Sequence, residues 1–200
     1  MTHKLGFLLT CTFALLPAHA ATVQVQLQDA NGKPLPEAIV FLDSREAKQL
    51  AKPVAGAEIA QINKQFAPRV LIVPVGTAVT FPNRDTVRHH VYSFSPTKTF
   101  ELKLYSGTSA SPVVFDKPGI AILGCNIHDN MSAWVVVVET PYFAYGDGVG
   151  AATLRDVPPG NYKLRIWHPR LPVGAPAAEQ ALTVGSADAS INYRLTGLAP

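Results

Sequence analysis

Ile120-Ala121-Ile122-Leu123-Gly124-Cys125-Asn126-Ile127-His128-Asp129-Asn130-Met131-Ser132-Ala133-Trp134-Val135-Val136-Val137-Val138 is two apolar runs joined by a polar loop. Short Val- and Ile-rich runs bounded by Gly, Asn and Ser are expected to be buried strands. Strands at 120–124 and 134–138 would therefore hold 125–131 as a loop at one end of a sheet. That loop reads C-x2-H-x2-M. A thiolate, an imidazole and a thioether are the donors that suit copper, which would still need a second imidazole from a distant segment.

The isolation of this cysteine sharpens the reading. Residues 1–20 read as a cleaved secretory leader: Lys4, an apolar run over 5–16, then Ala18-His19-Ala20. The run is short for a membrane span, so no membrane span is expected. Export to the periplasm is. Cleavage after Ala20 removes Cys11 and Met1 from a chain with 2 Cys and 2 Met, leaving Cys125 and Met131 as the only members of their kind, six residues apart with His128 between them. An odd thiol in an oxidising compartment is an intermolecular bridge, a buried bystander or a protected ligand. Cleavage also removes Lys4 from 17 basic residues, leaving 16 against 14 acidic. That near balance points to no nucleic-acid partner.

Further out, 17 Pro and 14 Gly punctuate segments filled by Val, Ile, Thr, Tyr and Phe, which predicts an all-β chain. Strict alternation in Val23-Gln24-Val25-Gln26-Leu27, a turn at Asn31-Gly32 and the run Ala38-Ile39-Val40-Phe41-Leu42 read as a hairpin or a near relative. A short helix fits only at 44–52, closed by Pro53. Eight short strands are expected between 58 and 139, at 59–62, 70–73, 77–81, 89–94, 100–105, 113–115, 120–124 and 134–138, enough for a compact sandwich or barrel. Beyond it lie 162–167, after Pro158-Pro159-Gly160, and weaker strands at 180–184 and 190–195.

The missing imidazole has three candidates, His89, His90 and His168. Residues 58–139 resemble a plastocyanin/amicyanin-type cupredoxin, a Greek-key β-sandwich. The likeness runs through Phe66-Ala67-Pro68, 73–81, Asn83-Arg84-Asp85, His89-His90-Val91, 115–119 and 124–131. It implies one type 1 copper ion held by His89, Cys125, His128 and Met131. The whole chain is also similar to exported methylamine-utilisation-like cupredoxins. Where that family carries Asn after the first histidine, this chain has His90, which is the rival ligand. Asp129 and Asn130 make the loop more polar than its amicyanin-like counterparts. His168, at a strand end, reads as a surface or capping residue, and Trp134 as core packing beneath the loop.

Residues 21–57 and 140–200 resemble the opening and continuation of transthyretin-like (carboxypeptidase regulatory-like) sandwiches. This implies a discontinuous second sandwich, with 58–139 inserted in or joined to it. A single enlarged cupredoxin with peripheral strands is the alternative.

Haem attachment would need a second cysteine. Structural zinc would not recruit a thioether, and no base and orienter flank Cys125 for nucleophilic chemistry. The expected function is one-electron transfer between periplasmic redox proteins such as c-type cytochromes or a dehydrogenase, by a monomer and not an enzyme. Copper delivery or sensing, or a metal-free partner-binding sandwich, are the rival readings.

Overall fold

A computed structural model describes residues 20–108 and 111–199, so the expected leader lies outside it except for Ala20. In chain order the elements are β1 (Ala21–Gln28), β2 (Ile39–Asp43), α1 (Arg45–Leu50), β3 (Ala57–Glu58), β4 (Ala60–Ile62), β5 (Gln65–Ala67), β6 (Val70–Pro74), β7 (Thr77–Thr80), β8 (His89–Ser95) and β9 (Lys98–Tyr105). There follow β10 (Val113–Phe115), β11 (Gly119–Gly124), β12 (Ser132–Val138), β13 (Phe143–Tyr145), β14 (Ala151–Val157), β15 (Gly160–Trp167), β16 (Ala178–Val184) and β17 (Ala189–Arg194). The protein is all-β. Its short helix starts at Ser44, whose Oγ accepts the Ala47 N–H at 3.0 Å, an ordinary N-cap. Among the described residues no helix is long and apolar enough to cross a membrane.

The strands from β1 and β2 pair with strands from the end of the chain. β1 lies between β14, antiparallel, and β17, parallel. β2 lies between β13 and β15, with β16 beyond. The alternation of β1 buries Val23, Val25 and Leu27 against Val40, Leu42, Leu164 and Ile166 of the facing sheet. A second pair of sheets, β6-β12-β11-β8-β9 and β10-β7-β3, encloses Phe81, Phe115, Leu123, Val135 and Val137.

Two expectations are corrected. β1 and β2 form no hairpin: they sit in opposite sheets, because the Asp29 carboxylate gathers the N–H groups of Asn31 and Lys33 into a turn that carries the chain across the sandwich. Trp134 is not beneath the loop. Successive strand residues face opposite ways, so Ala133, Val135 and Val137 share a core with Cys125 while Trp134, Val136 and Val138 face the other way. That outer face meets Ile39, Phe41 and Trp167 in a third apolar cluster. Two-sided burial explains the unbroken apolar runs of β2 and β12. The strands β3, β5, β13 and β14 are not expected from the sequence; the first three have two or three residues each, too short for a period to show.

Candidate metal centre

β11 ends at Gly124, and its one paired partner on β8 is Tyr92. The contact is close: a Cβ on Gly124 would come within 2.7 Å of the Tyr92 ring, so glycine is needed there. This juxtaposition sets Cys125 beside the start of β8, where His89 stands. The chain then turns through Asn126 and Ile127, and the Met131 N–H donates to the His128 carbonyl at 2.9 Å. That closed turn returns Met131 to the interior before β12 begins.

Donor atoms of His89, Cys125 and His128 lie within 4.8 Å of one another. The His89 and His128 rings are 5.0 Å apart at 58°. His89, Cys125 and Met131 are buried, Met131 within the same apolar cluster as Cys125, while His128 is half-buried. Buried polar atoms are nearly always paired, yet Nδ1 of His89 and Nδ1 of His128 are both buried without a partner. A thiol and two unpartnered imidazole nitrogens converging on one point are what a metal ion would satisfy.

His90 is buried too, with its Nε2 2.9 Å from Glu101 on β9 and its Nδ1 also without a partner, but it is not among the donors that converge with Cys125 and His128. The β8–β9 register shifts between His89 and Val91, so the adjacent histidines turn to different neighbours. His168 is not among the converging donors: its Nε2–H donates to the Pro36 carbonyl and its Nδ1 accepts the Arg170 N–H. It caps a strand end, though buried, and burial holds its pKa below the usual histidine value against the opposing bond to Pro36.

Asp85, to which the sequence alone assigns no role, stands beside the centre. Its Oδ2 is 2.7 Å from His89 Nε2, and its carboxylate also accepts the N–H groups of Asn63 (2.7 Å) and Lys64 (2.8 Å). Both of those residues have positive φ, 54° and 56°, in the turn joining β4 to β5. Burial pushes the Asp85 carboxyl up, but the N–H of Lys64, the His89 ring and the N–H of Asn63 together hold it below the usual range. A carboxylate on the outer nitrogen of a ligating histidine fixes which nitrogen faces inward. Asn83 braces the same loop, donating to the carbonyls of Val87 and Tyr105 and accepting the Asp85 N–H. The signal was Asn83-x-Asp85, with an acid four residues before a histidine. The hydroxyl of half-buried Tyr105 donates to the Phe81 carbonyl and accepts from Gln61; its pKa is pushed up to about 12 by desolvation, so it stays neutral.

No family model matches the chain, and no curated protein does. Solved structures do. The novel purple cupredoxin from Nitrosopumilus maritimus is 26% identical over 41% of this chain and 99% of its own, with a TM-score of 0.37. The copper-containing nitrite reductase from Thermus scotoductus SA-01 is 28% identical over 44% of this chain, a span that is 26% of the reductase (TM-score 0.39). Reduced Cu(I) amicyanin is 22% identical over 50% of this chain and 98% of its own (TM-score 0.38). Each likeness is confined to half of this chain or less.

Proposed function

We propose that His89, Cys125, His128 and Met131 hold one type 1 copper ion and that the protein is a one-electron carrier of the periplasm. The observation that carries this reading is the convergence of a buried thiol with two buried imidazole nitrogens that no protein group satisfies, above a turn that brings a thioether back inside. Copper, when bound, supplies a one-electron redox couple. The residues themselves supply the rest. Asp85 orients His89, the packed core around Cys125 and Met131 keeps water from the thiolate, and half-buried His128 offers the edge nearest solvent. Donors held on strand ends by a rigid sandwich move little, which keeps reorganisation small. Soluble redox proteins such as c-type cytochromes or a dehydrogenase suit such a carrier.

Copper(II) added to the metal-free protein is expected to give an intense visible thiolate charge-transfer band at one ion per chain. Cys125→Ser should abolish it, His89→Ala should lose it, and His90→Ala should keep most of it. Copper bound at unit stoichiometry without colour would overturn the reading, and a band lost in His90→Ala alone would reassign the ligand. The same reading treats 58–139 as the copper-holding sandwich inserted into a discontinuous transthyretin-like sandwich of 21–57 plus 140–200, supported by the pairing of β1 and β2 with strands from the end of the chain.

A further inference from the structure

Gln61 lies on β4 and is fully buried, an unusual place for a carboxamide. Its Nε2 donates to the Phe81 carbonyl at 3.1 Å and to the Tyr105 hydroxyl, which itself donates to the same carbonyl. The amide cannot be turned round, because Oε1 would then face the Phe81 carbonyl, acceptor against acceptor. As it stands, Oε1 is buried with no partner among the described residues. An unmade buried acceptor costs more than one made hydrogen bond contributes, so it largely offsets the two bonds that Nε2 makes. Nor does the fold need this side chain to tie β4 to the loop after Phe81. The backbone does so, through the Gln61 N–H on the Pro82 carbonyl (2.9 Å) and the Arg84 N–H on the Gln61 carbonyl (2.9 Å). With an apolar side chain at position 61, the Tyr105 hydroxyl would keep its acceptor and the Phe81 carbonyl would keep a donor.

What the carboxamide does fix is Tyr105, which bears on the centre in three ways. It pairs with His89 across β8 and β9, its carbonyl accepts from Asn83 at 2.9 Å, and its ring packs on the cluster that holds Cys125 and Met131. Asn83 in turn accepts the N–H of Asp85, the residue that holds His89. The Tyr105 hydroxyl is pinned by two groups, the Phe81 carbonyl and the Gln61 amide. Where a local rule is broken without gain to the fold, function is the usual reason. We propose that Gln61 is a positioning residue for the centre: its carboxamide locks the Tyr105 phenol, and through it the setting of His89 against Cys125, at no gain to the stability of the fold. This rests on the copper reading above and adds to it a residue from outside the ligand-bearing segments.

Gln61→Met keeps the volume and deletes the carboxamide, and Tyr105→Phe deletes the hydroxyl at the other end of the lock. In the metal-free full chain, Gln61→Met is expected to melt within a few degrees of the parent while amide hydrogen exchange across residues 82–88 quickens. Loaded with Cu(II), the same variant should show a shifted visible band and, in chelator competition, bind copper roughly tenfold more weakly, the scale of a lost outer partner of a metal ligand. Tyr105→Phe should shift the band in the same direction. The double variant should go no further than the larger single effect, since both changes act through one lock. A parent protein that takes up copper without the band defeats the copper reading, and this one with it. A coloured parent whose band and affinity are unaltered in Gln61→Met overturns the positioning role alone. So does a double variant in which the two effects add. A Gln61→Met chain that melts far below the parent or fails to fold overturns it too, because the side chain would then serve the fold and not the centre.

Discussion

Asp85 shows how a single residue governs the candidate centre: two backbone N–H groups of the β4–β5 turn hold its carboxylate, and it in turn holds His89. Asp85→Ala leaves His89 Nε2 without its partner and frees the ring to rotate. Copper affinity, measured by chelator competition, is expected to fall roughly ten- to hundredfold, and an unchanged affinity would show that packing alone orients the ring. His168 makes a pH prediction. Burial depresses its folded-state pKa below 6.5, so below pH about 6.5 the unfolded chain binds a proton that the folded chain refuses. Stability therefore falls as pH drops from there toward the folded pKa. His168→Gln should flatten that part of the melting-temperature profile relative to the parent protein, whereas parallel profiles would show that His168 contributes nothing to it.

At the scale of elements, the strands divide between those buried on one face and those buried on both. Leu164 of β15 is fully buried in the core shared with β1. Leu164→Ala should cost about 2–5 kcal/mol in urea unfolding, since the sheets on either side cannot close on the space. Gly124→Ala tests the β11–β8 contact: the added methyl meets the Tyr92 ring, and the strand ends that carry Cys125 and His89 must separate. A weaker or shifted visible band in the copper-loaded variant is the expected result, and an unaltered spectrum would mean that Tyr92 gives way instead. Alternation made β1 readable, because one face is polar. β12 was readable as a strand but not as to which way it faces, since both faces are apolar; hence Trp134 was assigned to the wrong side.

For the whole molecule the third cluster is decisive. Val70 and Ile72 of β6 and Val136 and Val138 of β12 pack with Ile39 and Phe41 of β2 and Trp167 of β15, and the Ile72 N–H donates to the Tyr145 hydroxyl of β13. Residues 58–139 expressed alone would present that apolar patch to water. Exposed apolar surface of this kind drives association, so the fragment is expected to elute as oligomers and to bind a hydrophobic dye, unlike the full chain. A monodisperse fragment that binds no dye would show that the sandwich does not depend on its neighbour.

The sequence by itself determined the all-β class, nearly all the strands around the centre, and the grouping of Cys125, His128 and Met131 in one loop, because those signals are local: a two-residue period, turn residues, and an unusual spacing of Cys, His and Met; which of three distant histidines joins them was not local, and only the fold brings His89 to Cys125 and His128. Tertiary structure alone decided which strands pair across more than a hundred residues, as β1 does with β14 and β17. It alone turned His90 toward Glu101, placed Asp85 on His89, and packed Trp134 against Trp167. These depend on which faces of distant strands meet, and a strand apolar on both faces carries no mark of its partners until they pack against it.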